Sequence, residues 1–210
     1  MACSTLGAAI VTAIVVDFIP VLLRGFLVDL WIAVATAGIG LAVGLPIALL
    51  LLKMAWTRPP LRIVIRLLQA APVYVVMFFL VSMLPDEVVI LGRPMMIGGV
   101  TVMILAQCTF MIPYVAEAGF DALGRLAAGE RDQALLFLPN LLRGFNVVIM
   151  SSGFGAAIGV AEAVGVTARE AEMLEHMSER VVLFLIAIAL FVSFFSAANL
   201  LVQRLVRLSR

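Results

Sequence analysis

Five long apolar stretches, separated by short polar loops, constrain the fold more than any other feature of the sequence. Each stretch has 18 to 23 residues and contains no charged side chain. About 20 apolar residues in a helix cross the hydrocarbon core of a bilayer, whereas the strands of a membrane barrel alternate in polarity. The sequence therefore predicts an all-α, polytopic membrane protein with five transmembrane helices, in one domain over residues 1–210. The five predicted spans are Leu30–Leu52, Leu67–Leu84, Met95–Ala116, Gly144–Ala161 and Val181–Gln203.

The composition excludes several classes of function. With 64% hydrophobic residues and a mean hydropathy of +1.21, the chain has no room for a soluble catalytic module. A net charge of +1 gives no bulk attraction to nucleic acid. One histidine and two distant cysteines, Cys3 and Cys108, cannot supply a zinc site, and no phosphate-binding P-loop is present. We therefore predict neither an enzyme nor a metal-binding protein, and any ATP would bind to another chain.

The basic residues predict the orientation, because lysine and arginine favour cytoplasmic loops. Ten of them fall on one side of the five predicted spans and four on the other. This places the amino terminus outside and the carboxyl terminus inside. Residues 1–25 become an outer segment, in which the first 16 residues either form a short apolar helix at the membrane surface or extend the first span. Residues 117–143 become a cytoplasmic loop. The acidic outer segment 162–180 either faces a soluble partner or an outer vestibule, or forms a solvated surface helix. The ten inner residues are Lys53, Arg58, Arg62, Arg66, Arg125, Arg131, Arg143, Arg204, Arg207 and Arg210; the four outer ones are Arg24, Arg93, Arg169 and Arg180.

Two pairs of glycines mark predicted helix contacts. Gly40 and Gly44 in the first span, and Gly155 and Gly159 in the fourth, are each four residues apart. Such spacing puts two small residues on one helix face, where neighbouring backbones can approach closely. Three prolines, Pro46, Pro72 and Pro113, lie within or near the predicted spans and are expected to kink them.

Few polar side chains lie in or beside the predicted spans. Glu162 falls at the outer end of the fourth span, where it either lines the path of a solute or ends a helix at the interface. Gln107 and Thr109, in the third span, could bond a substrate, but a packing bond between helices is the alternative. Glu117 ends the third span and is expected to pair with Arg125 or a neighbouring subunit.

Several short motifs are spaced as in one known family. Tyr114-Val-Ala-Glu117 is followed twelve residues after the glutamate by Gly129-Glu130 and then by Asp132-Gln133-Ala134. Farther on, the sequence reads Ile158-Gly-Val-Ala-Glu162. The chain resembles the membrane (permease) subunit of polar-amino-acid-type ABC importers, the group that includes the histidine and glutamine systems. The resemblance runs from about Asp17 to the end of the chain and implies a type I importer permease fold.

The resemblance implies partners and a coupling element. Gly129, Asp132, Gln133 and Ala134 match the family's EAA loop, which docks on an ATP-binding cassette ATPase; ATP and magnesium would be used by that partner. A second permease half, an extracytoplasmic binding protein and membrane lipid would complete the assembly in a bacterial inner membrane. The implied function is ATP-driven import of a polar amino acid or a similar small solute.

The coupling loop departs from the family pattern. After Ala134 come Leu135-Leu-Phe137 and at once Leu138-Pro139, so that most of the family's second loop helix is missing. Two interpretations remain. This half has lost its ATPase contact and pairs with a non-identical permease that keeps it, or Gly129–Phe137 supplies about two helical turns that still dock. The alternative function is a structural or regulatory membrane subunit that does not conduct substrate.

Overall fold

The computed structural model describes the backbone of residues 2–85, 87–90 and 93–208, and the side chains of 16–85, 87 and 96–207. Over these residues the fold is helical apart from one antiparallel hairpin, in which β1 (Glu87–Ile90) pairs with β2 (Arg93–Met96). The α-helices are α1 (Ala2–Lys53), α2 (Arg58–Ala70), α3 (Val73–Met83), α4 (Gly99–Ala127), α5 (Arg131–Ala134), α6 (Phe137–Ser152), α7 (Ala163–Glu172) and α8 (Met177–Leu208), and 3₁₀ helices cover Ala55–Thr57 and Gly153–Ile158.

The predicted all-α membrane architecture is confirmed. Four segments are long and apolar enough to cross a bilayer: Val16–Lys53, Gly99–Ala127, Arg131–Ile158 and Met177–Arg207. A fifth crossing is possible if Ala55–Ala70 and Val73–Met83, which meet at 88°, count as one broken span.

Helix α1 is much longer than the predicted first span. It runs unbroken for 52 residues, so that residues 2–25 continue the same helix outward from Leu30. Phe18 and Leu22 lie in this extension and are almost completely buried. The helix therefore continues past Asp29, whose charge bounded the predicted apolar stretch at Leu30.

The contact between α1 and α4 is the most extensive in the fold, and glycines on α1 permit it. A Cβ atom on Gly40 would lie 2.6 Å from Cγ of Met111. One on Gly44 would lie 2.8 Å from the carbonyl oxygen of Ile112 and 2.8 Å from Cβ of Val115. The two backbones can approach this closely only because both positions lack a side chain.

The second predicted span is broken rather than kinked. Ala71 and Pro72 have extended backbones, and α3 starts afresh at Val73. A residue that precedes proline is pushed out of the helical region by the proline ring, which accounts for the break at Ala71. The third span also starts later than predicted, at Gly99, since residues 93–96 belong to the hairpin.

The fourth span does not keep a regular helix to its outer end. α6 ends at Ser152 and the glycine-rich stretch continues as a 3₁₀ helix to Ile158. Gly155 is buried in that helix, while Gly159 has a left-handed backbone with φ of 82° that ends it. Gly155 and Gly159 therefore do not share the face of one α-helix, and that part of the packing prediction is wrong.

Candidate functional site

A buried acidic cluster joins three helices at the end of the fold that is predicted to lie outside. We define it by Asp29 on α1, Ser152 at the end of α6 and Glu162 at the start of α7, all with 0% exposure. The hydroxyl of Ser152 donates to Oδ1 of Asp29 over 2.6 Å. The backbone N–H of Ala163 donates to Oδ2 of the same carboxylate over 3.1 Å. Asp29 thus links α1 to both α6 and α7.

Glu162 is the N-terminal cap of α7. Its backbone is extended, and its two carboxylate oxygens accept hydrogen bonds of 2.6 Å from the backbone N–H groups of Val164 and Gly165. The first N–H groups of a helix have no partner within the helix, and a carboxylate there also complements the helix dipole. The close approach to α1 needs Gly25, where a Cβ atom would lie 2.9 Å from the backbone of Ala163.

Glu162 lies outside the candidate membrane spans, and its surroundings shift the pKa of its carboxyl. Burial raises the pKa of the Glu162 carboxyl above its ordinary value. The amides of Val164 and Gly165 and the charge of Arg169 act in the opposite direction and lower that pKa. Burial is the largest of these effects, so the carboxyl holds a proton more readily than a carboxyl in water.

The cluster holds helices together and is closed to solvent in this chain. Neither Asp29 nor Glu162 forms an ion pair within the described residues. The predicted role of Glu162 in a substrate path stays a prediction, since its oxygens are already used by the backbone. Within the segment 162–180, α7 buries Ala163, Thr167 and Ala171 and packs between α1 and α8, while Glu172 and Glu175 are exposed.

Gln107 lies in the interior of α4 and is 1% exposed. Its Nε2 donates to the carbonyl oxygen of Val148 on α6 over 3.2 Å. This is a packing bond between helices, one of the two roles that the sequence predicts for Gln107. Its Oε1 is buried without a partner. The hydroxyl of Thr109 bonds the carbonyl of Ala106 in its own helix.

The predicted coupling residues form a compact turn at the opposite end of the fold. Gly129 has φ of 84°, a left-handed conformation that lets the chain reverse after α4. The short helix α5 follows at once and exposes Asp132 and Gln133. Arg125 restrains the turn through a 3.7 Å ion pair with Glu130 and a hydrogen bond to Gln133.

The turn is shorter than the sequence suggested. In the interpretation that keeps the ATPase contact, Gly129–Phe137 supplies about two helical turns; in the structure, α5 has four residues and α6 begins at Phe137. Glu117 does not pair with Arg125; its Oε2 accepts a 2.8 Å hydrogen bond from Nε2 of Gln69. The apolar residues Leu135 and Leu136 form the whole link between α5 and α6, which leaves no separate second loop helix.

Asp29 is the site residue that sequence reasoning missed. The sequence could have indicated it, because Asp29 directly precedes the apolar stretch that begins at Leu30. An acidic side chain beside a membrane span must find a polar partner. Within the described residues, no group of three or more histidine, cysteine, aspartate or glutamate side chains is placed to hold a metal ion.

No protein-family model matches the chain, and no curated protein sequence matches it. Two solved structures share its fold. One is a chain of an amino acid ABC transporter with histidines, at 19% identity, a TM-score of 0.64, and coverage of 90% of this chain and 96% of that one. The other is a chain of the MetNI methionine ABC transporter in inward-facing conformations, at 16% identity, a TM-score of 0.65, and coverage of 92% and 98%.

Proposed function

We propose that this protein is a transmembrane subunit of an ATP-driven importer of a polar amino acid or a similar small solute. The observation that carries the proposal is the shared fold. It extends over at least 90% of this chain and of each of the two ABC transporter chains. The match therefore concerns the whole membrane unit and not a pair of helices that many membrane proteins share.

The assembly that this function requires has three kinds of component. Two permease halves would surround the path, two ATPase subunits would bind ATP and magnesium, and a binding protein would deliver the solute. This chain would be one permease half, with the turn at Gly129–Gln133 facing an ATPase. The exposed side chains of Asp132 and Gln133 support that placement, since a docking surface must be accessible.

The test is to purify the tagged full-length chain from its native membrane in mild detergent. We expect an ATPase and a second permease to co-purify, and the complex, reconstituted in proteoliposomes with internal Mg-ATP, to take up a polar amino acid. A chain that purifies without any ATPase, at every detergent that preserves its helices, would contradict the proposal.

The second candidate function is a structural or regulatory half, and the compact turn favours it. A helix of four residues, tied to Arg125, offers little surface to fill a groove on an ATPase. In that case ATP-driven motion would enter through the other permease, and this half would follow through the packed interface as a rigid body.

Matched substitutions separate the two candidates. If this half does not couple ATP hydrolysis to transport, changing Asp132 and Gln133 together to alanine leaves substrate-stimulated ATP hydrolysis nearly unchanged. Changing the equivalent pair in the partner permease to alanine abolishes that hydrolysis. Changing Glu172, which is exposed at the other end of the fold, to alanine controls for the loss of one negative charge. Loss of coupling on changing Asp132 and Gln133 would instead identify a short but working coupling element.

A further inference from the structure

A pocket of about 280 Å³ lies between α2 and α4 beside the end of α1 that carries Lys53. Its lining combines the buried side chains of Leu51 and Ile65 with the half-buried ring of Phe120. Ligand pockets usually range upward from about 300 Å³, so this one suits a small group.

Four charged side chains complete the lining, and they carry both signs. Arg62 and Arg66 come from α2, while Glu117 and Asp121 come from α4. In the described part of the chain these four form no ion pair with one another. The guanidinium of Arg62 lies 5.6 Å from the centre of the Phe120 ring, and Glu117 accepts its one bond from Gln69.

The arrangement leaves charges of both signs available to a ligand. The side chains of Arg66 and Asp121 make no hydrogen bond or ion pair within the described residues. A purely anionic group would meet the two carboxylates, and a purely cationic group would meet the two guanidiniums. A group that carries a phosphate and an ammonium separated by a short link satisfies both pairs, since arginine binds phosphate through paired N–H donors.

Helix α2 has the character of a helix that lies in the membrane surface. Arg58, Arg62 and Arg66 are four residues apart and share one face. Ile63 and Leu67, 59% and 66% accessible, lie about 100° around the helix from Arg62 and Arg66 and form an exposed apolar face.

Two further features are typical of a helix that lies at the level of the lipid head groups. Trp56, in the 3₁₀ turn before α2, is 74% exposed, and tryptophan is enriched at membrane interfaces. The 88° bend between α2 and α3 turns α2 away from the direction of the helix that follows. An amphipathic helix with a basic face and an apolar face lies in the interface plane.

The geometry points to a binding site for the head group of a zwitterionic phospholipid that carries a primary ammonium, such as phosphatidylethanolamine. Arg62 and Arg66 hold the phosphate, Asp121 and Glu117 hold the ammonium, and the acyl chains lie along the exposed apolar face of α2. This site is independent of the transport function proposed above.

The test uses the full-length chain, purified and stripped of lipid, and native mass spectrometry with three lipids that have the same acyl chains. Phosphatidylethanolamine binds at least about tenfold tighter than phosphatidylglycerol, which lacks the ammonium, or phosphatidylcholine, which lacks its N–H donors; tenfold corresponds to the weaker end of a charge-assisted hydrogen bond. Equal affinities for the three lipids, or a preference for phosphatidylglycerol, overturn the proposal. So does soluble phosphoethanolamine or glutamine that binds as tightly as the lipid.

Two variants assign the roles within the pocket. Arg66→Gln weakens the binding of phosphatidylethanolamine and phosphatidylglycerol alike, while Asp121→Asn removes the preference for the former. Arg204→Gln, the same change at an exposed arginine of α8, leaves both affinities unchanged. Unchanged affinities for both lipids in Arg66→Gln, or an undiminished preference for phosphatidylethanolamine in Asp121→Asn, overturn the proposal. The comparison of lipids on the unmodified chain remains decisive if a variant does not fold.

Discussion

Asp29 holds α1 to two other helices, so its removal is expected to destabilise the fold. Asp29→Ala leaves the Ala163 amide without an acceptor and the Ser152 hydroxyl without one of its bonds. Loss of a buried hydrogen bond to a charged group costs about 1–3 kcal/mol. We expect a lower thermal unfolding midpoint in detergent, and only a small change for Ser151→Ala, whose hydroxyl bonds Val147 in its own helix. Equal midpoints for the two variants would show that the cluster does not contribute to stability.

The raised pKa of Glu162 predicts a pH dependence. Because burial raises this pKa, the folded protein binds the proton more tightly than the unfolded chain. The contribution of protonated Glu162 to the stability of the fold is therefore complete below pH 4.5, the ordinary pKa of a glutamate. It is lost as the pH rises through the higher pKa of Glu162 in the folded protein. Asp29 and Arg169 are the neighbouring charges on the packed helices.

The comparison of Glu162→Gln with the unmodified chain measures this effect. We expect the unmodified chain to lose thermal stability relative to Glu162→Gln as the pH is raised from 4.5 toward neutrality, because glutamine cannot ionise. A difference in unfolding midpoint that stays constant with pH would mean that Glu162 titrates as it does in water.

Single residues also show the limit of reasoning from the sequence. The role of Gln107 as a contact between helices was one of two alternatives, because an amide in an apolar span must find a partner whatever its function. The link between Asp29 and Ala163 joins residues 134 positions apart, and no local pattern encodes it. Only the packing of α7 against α1 brings them together.

Among the secondary-structure elements, the contact between α1 and α4 offers a matched test. Gly44→Ala places a methyl group 2.8 Å from the Ile112 carbonyl oxygen, whereas Gly38→Ala in the same helix meets nothing within 4 Å. Overpacking costs about 1–3 kcal/mol, while alanine in an open helical position gains up to about 1 kcal/mol over glycine. We expect Gly44→Ala to lower the unfolding midpoint in detergent and Gly38→Ala to leave it equal or higher. Equal effects would contradict the close contact.

The sequence predicts a helix correctly where the length of an apolar stretch is sufficient to determine it. The helices from Gly99 and Met177 follow from their composition, because an unpaired backbone is not tolerated in lipid. The broken pair α2–α3 and the 3₁₀ helix Gly153–Ile158 were not predicted. In both, proline or glycine permits several local structures, and the surrounding helices select one of them. The hairpin β1–β2 was not predicted for a different reason. Its second strand, Arg93–Met96, overlaps the apolar stretch from Met95 that was assigned to the third span.

For the whole molecule, the loop charges predict which ends share a side of the membrane. Single cysteines replacing Arg125 and Glu172, both exposed, in a chain without Cys3 and Cys108, should react with a membrane-impermeant reagent from opposite sides of sealed vesicles. Arg125 should be reached from the cytoplasmic side. Labelling of both positions from one side would contradict the five-span topology.

Helix α3 is too short to cross a bilayer alone. Its 11 residues span about 16 Å, roughly half of a hydrocarbon core of about 30 Å. It is held in the fold by Met77, which is completely buried in a cluster with Ile32 of α1 and Met103 of α4. During synthesis, α1 leaves the ribosome before α3, but α4 leaves after it. The surface that buries Met77 is therefore complete only after α4 has been made, so α3 reaches its final packing later than its order in the chain implies.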